Sequence, residues 1–198
     1  MKNEQFTHKE TKSRKVIGTL RTYDHASLLK WLDSIGITLE DWISSKFNRI
    51  SRAEILRGAP QGIISSEVAF ENITPDIGFQ AITKILSGNG VSVDELEVMV
   101  HAFGSDGTDP DPSDTALGNE TTRKLVSSKS YSGPSAFYTV FYDLSEGNGT
   151  HAEMGLFCNA DDATPDDGTL WDHSLISITK TDSQSLTIDY EDAFVNNE

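Results

Sequence analysis

The sequence predicts an α+β protein: a small N-terminal helical segment followed by an antiparallel β-sandwich. Three observations carry this. Apolar residues recur at helical spacing between residues 24 and 58, the period changes to two from residue 95, and the charge changes sign between the two parts.

Residues 1–22 are polar and basic, with only scattered apolar positions (Phe6, Val16, Ile17, Leu20). Such a stretch has no core of its own and is expected to be an arm, disordered or extended until it meets a partner. Its candidate contacts are Lys2, Lys9, Lys12, Arg14, Lys15 and Arg21.

The helical segment covers about 23–60. Asp24 stands where a helix cap belongs, Leu28, Leu29, Trp31 and Leu32 follow at helical spacing, and Gly36 ends the run. Thr38 and Asp41 form a near-capping box ahead of Leu39, Trp42, Ile43, Phe47 and Ile50. Ser51 and Glu54 repeat the device, and Gly58 stops it. Gly58-Ala59-Pro60-Gln61-Gly62 then marks a boundary.

A β domain over about 68–194 follows, led by a helix at about 75–86. That helix has Thr74 as cap, Pro75 at its first position, and Ile77, Ala81, Ile82 and Leu86 turned inward. Leu96, Val98, Val100 and Ala102 alternate with Glu97, Met99, His101 and Phe103, and residues 136–144 alternate likewise. Further strands are expected at about 123–131, 150–158, 174–180 and 185–192. Short strands joined by polar turns without intervening helices favour an antiparallel sandwich.

Charge narrows the function classes. The net charge is −15, yet residues 1–60 carry 11 Lys and Arg against 7 Asp and Glu, while residues 61–198 carry 5 against 24. An acidic body repels phosphates, so no nucleic acid is expected on the β domain. Ten lysines argue against a halophile's surface as the source of the acidity. The single cysteine, Cys158, excludes an internal disulfide. No apolar run has the length of a membrane span, and the first residues lack a signal-peptide core, so a soluble chain made in a cytoplasm is expected.

Motifs for chemistry are sparse. Asp106, Asp109, Asp111 and Asp114 are a possible oxygen set for calcium, but their spacing matches no EF-hand, and acidic turns on a solvated face explain them better. The same holds for Asp161, Asp162, Asp166 and Asp167. His151-Ala152-Glu153-Met154-Gly155 lacks the second histidine of a zinc-protease helix and sits in a strand pattern with His151 and Glu153 on one face. The five histidines form no ligand spacing, and no nucleophile elbow, phosphate loop or dinucleotide fingerprint occurs. No cofactor and no enzymatic activity are expected.

Three pieces taken in order resemble a recurrent β domain of tailed-phage virion proteins. They are D-P-S-D-T-A-L-G-N-E-T-T-R at 111–123, E-M-G-L-F at 153–157, and G-T-L-W-D-H at 168–173 with I-T-K-T-D-S-Q-S-L-T-I-D-Y at 178–190. Pro112, Asp114, Thr115, Leu117, Glu120 and Arg123 match the family's first segment position for position. His173 stands where the family commonly has arginine.

The resemblance implies a neck, collar, tail or fibre component residing in the virion. It would be a homo-oligomer bound to other virion proteins and attached through residues 1 to about 60. It also implies a structural role for the polar run, with Glu120 and Arg123 forming a local ion pair or bonding loop backbone groups. Glu153, in an otherwise apolar strand, is the residue most expected to be paired, with Arg123, His173 and Lys180 as candidate partners. A second reading is a receptor- or glycan-binding adhesin with Tyr131, Phe137, Tyr138 and Trp171 as its platform.

Overall fold

The computed structural model describes residues 13–44, 51–89 and 92–195. Among the described residues nine strands form two antiparallel sheets packed as a sandwich. In chain order the strands are β1 (Ser13–Asp24), β2 (Ile64–Asn72), β3 (Val98–Gly104), β4 (Glu120–Leu125), β5 (Ser128–Ser132), β6 (Ser135–Tyr142), β7 (Gly149–Cys158), β8 (Thr169–Lys180) and β9 (Gln184–Val195). Helices α1 (His25–Ser34), α2 (Leu39–Ser44) and α3 (Arg52–Leu56) lie between β1 and β2, and α4 (Asp76–Leu86) lies between β2 and β3. One sheet has the order β2-β1-β9-β6-β5 and the other β4-β3-β7-β8.

The core between the sheets takes alternate residues from each strand, as the pleat requires. Leu20, Val140, Leu186, Ile188 and Tyr190 come from the five-stranded sheet and Phe103, Met154, Leu156 and Cys158 from the other. Cys158 is thus a small core residue whose Sγ reaches the Leu96 carbonyl at 3.4 Å.

β1 corrects the sequence reading of residues 1–22 as an arm. Residues 13–22 make up most of a strand that pairs with β2 on one side and β9 on the other. Its inward positions hide the pattern. Among Gly18, Leu20 and Thr22 only Leu20 is large, and the space above Gly18 is filled by the Phe70 ring of β2, which a Cβ at position 18 would strike. Arg14 and Lys15 are strand residues, Arg21 is ion-paired within the fold, and Lys2, Lys9 and Lys12 lie outside the described residues. β2 was likewise not foreseen.

The helical segment is a cap on this sheet and not a separate unit. Asp24 accepts a hydrogen bond from the Ser27 amide at 2.9 Å, and Leu28, Trp31 and Leu32 of α1 pack with Trp42 of α2 against Tyr23 and Phe141. The Thr38–Asp41 pair and the Ser51–Glu54 capping box both form. α4 starts one residue later than expected. Pro75, not Thr74, is its N-cap, and Leu86 is 81% exposed instead of inward.

Two devices join the sheets. At one edge the backbones of Ile73 and His173 exchange two hydrogen bonds of 3.1 Å, so the chain leaving β2 pairs with β8. At the other, the strand expected at 123–131 is two strands. The chain bends at Val126 and Ser127, whose amides donate to Met99 and Thr139, and crosses from one sheet to the other.

Candidate functional site

Glu153 sits on the outer face of the four-stranded sheet, 1% exposed, under the loop that joins β3 to β4. Gly104 lies opposite it on β3, and any side chain there would overlap its carboxylate. Backbone amides of that loop converge on the two oxygens: Asp106 at 3.1 Å, Gly118 at 2.9 Å and Asn119 at 2.8 Å. His173 Nε2 adds a fourth contact at 3.0 Å, and its Nδ1 lies 2.9 Å from Asp114 Oδ2. A buried carboxylate is tolerated only when its lone pairs are filled in this way. Of the three sequence candidates, His173 is Glu153's partner.

The other candidates divide. Glu120 and Arg123 pair through both oxygens, at 2.6 and 2.8 Å, with both side chains almost fully buried. Arg123 continues to the carbonyls of Asp161 and Asp167, at 2.7 and 3.3 Å, and packs over the Phe157 ring. Lys180 is remote from Glu153. Its ammonium meets Asn148 Oδ1 at 2.9 Å, and burial holds its pKa below the usual lysine range.

The acidic loop residues act on their own backbone. Asp106 accepts from Thr108, Asp111 from Ser113, Asp114 from the Asp111 amide, and Asp161 from Ala163 and Thr164. The bonds of Asp106, Asp111 and Asp161 are Asx-type turns, which need no ion. Among the described residues no group of three or more His, Cys, Asp or Glu is placed to hold a metal. His151 and Glu153 go to different partners, since His151 stacks on Phe103 with ring centroids 4.3 Å apart.

A cleft of about 690 Å³ opens on the outer face of the five-stranded sheet. No motif pointed to it, because its walls come from β1, β2, β5, β6, β9 and the start of α3. At its inner end Asp189 lies between two guanidinium groups. Arg52 is paired with it, and Arg21 lies 3.6 Å from it while donating to Glu67 at 2.7 Å. Thr139 Oγ1 adds a bond to Asp189 at 3.0 Å, and Arg52 also donates to the Trp42 carbonyl.

The four aromatic residues of the adhesin reading do not form one platform. Trp171 is buried with Nε1 on Asp192 at 2.9 Å, Phe137 and Tyr138 both line the cleft, with Tyr138 also packed against the core, and Tyr131, 85% exposed, is not part of it. No helix among the described residues is long and apolar enough to cross a membrane. Comparison with protein-family models, with curated proteins and with solved structures returned no match.

Proposed function

We propose that the protein is a structural component of a tailed-phage virion, of the neck, collar, tail or fibre type, with its acidic sandwich facing solvent. One observation carries the reading. The segments by which the chain resembles that family meet around a single buried carboxylate. Glu153 of E-M-G-L-F holds the amides of Gly118 and Asn119 in the 111–123 run, and His173 of G-T-L-W-D-H links it to Asp114. Residues that build one architectural device are those a family resemblance would retain. The test is one of assembly.

Attachment is assigned to the basic N-terminal region. Arg21 is committed inside the fold, which leaves Lys2, Lys9, Lys12, Arg14 and Lys15 and the exposed Lys30 and Arg57 of the helical cap for other virion proteins. Closed symmetry is the expected form of such a part. Size-exclusion chromatography with light scattering is expected to give a ring-sized oligomer for the full chain and a folded monomer for a chain lacking residues 1–12. A full chain that stays monomeric up to its solubility limit would count against the proposal.

A further inference from the structure

We infer that the cleft on the outer face of the five-stranded sheet is a binding site for a neutral saccharide. The helical cap covers one half of that face, over Tyr23 and Phe141, and leaves the other half open. The cleft's volume, about 690 Å³, falls in the range that small-molecule sites occupy.

Its chemistry selects among ligands. The floor is a sheet face whose strands β1, β9 and β6 are each hydrogen-bonded to neighbours on both sides, so a peptide lying on the floor finds no strand edge to extend and only β2 and β5, at the margins, are edge strands. The arginines at the cleft are already ion-paired within the protein, and the carboxylates of Glu71 and Glu191 stand among its lining. Arg52 pairs with Asp189, Arg21 with Glu67, and Glu191 accepts from Ser135 at 2.9 Å. An anion would have to break one of the arginine pairs, and would also enter the field of a body in which acids outnumber bases 24 to 5.

What the cleft offers freely is hydroxyl and apolar surface. The side-chain hydroxyls of Thr19, Ser128 and Ser130 line it and make no hydrogen bond among the described residues, and the Asp189 side chain keeps 31% of its surface exposed. Beside them lie Ile17, Ala69 and the half-buried ring of Phe137. A sugar ring matches both parts, because its C–H face packs on an aromatic or aliphatic surface while its hydroxyl edge donates and accepts.

The inference is independent of oligomeric state, so its failure is distinguishable from failure of the virion proposal. The test is a glycan array carrying neutral, sialylated and sulfated oligosaccharides, followed by amide chemical-shift mapping of the full chain with the best neutral binder. Shifts are expected at residues 17–21, 69–71, 137–139 and 189–191. Phe137→Ala is expected to weaken binding about tenfold. Ala69→Trp, which fills the cleft from an exposed position on β2, is expected to abolish binding, and Tyr131→Ala to leave it unchanged, with each variant's fold checked by its amide spectrum. No neutral binder, a preference for acidic glycans, or binding that survives Ala69→Trp in a folded variant would overturn the inference.

Discussion

Glu153 shows how much one side chain can organise. Its carboxylate holds three loop amides and an imidazole, and the loop's own acids fold that loop back on itself. Truncating it would leave those donors buried without an acceptor. Glu153→Ala is therefore expected to lower stability by about 3 kcal/mol, read by urea denaturation, and to make the 105–119 loop a site of limited proteolysis. His101 makes a second prediction. It lies in the sandwich core with Nδ1 2.8 Å from Tyr142 Oη, and burial pushes its pKa down to about 3 from 6.5. The unfolded chain takes up a proton there below pH 6.5 and the folded chain does not, so stability falls as the pH drops from 6.5 toward 3. The expected slope from this residue is about 1.4 kcal/mol per pH unit, and His101→Gln should flatten it in urea midpoints measured across that window. The need of Glu153 for a partner was legible in E-M-G-L-F, because a lone acid in an apolar strand must be neutralised. Its main partners were not, since backbone amides leave no mark in a sequence.

At the scale of elements, the helices between β1 and β2 could be read from their caps, because Thr38–Asp41 and Ser51–Glu54 are local in sequence and in space. β1 could not. Its inward face is completed by Phe70, some fifty residues away, and the strand alone looks like a polar tail. The cleft was hidden for the same reason, being assembled from five strands and a helix start. β1 nevertheless sits second in its sheet, paired for its whole length with β9. Removing residues 1–24 would uncover two strand edges and the core under Leu20. The shortened chain is expected to lose its cooperative thermal transition by circular dichroism, whereas loss of residues 1–12 should leave that transition in place.

For the molecule as a whole, the fold class predicted from periodicity is the one observed, and the change of charge sign at about residue 60 does not divide the chain into two units. The cap belongs to the sandwich through Tyr23 and Phe141, and the sandwich is sewn along one side by Ile73 and His173. The pairing of β1 with β9 has a mechanical consequence. Ser13 faces Val195 across the ladder, so the outer ends of these two strands lie side by side. A load that separates those ends pulls across the strands and breaks the ladder one rung at a time, like a zipper. A load between the Ser13 end and the cleft wall on β6 runs through neighbouring strands and must shear many rungs together. The protein is therefore weak when pulled by its two ends and strong when held at one end and gripped on its open face.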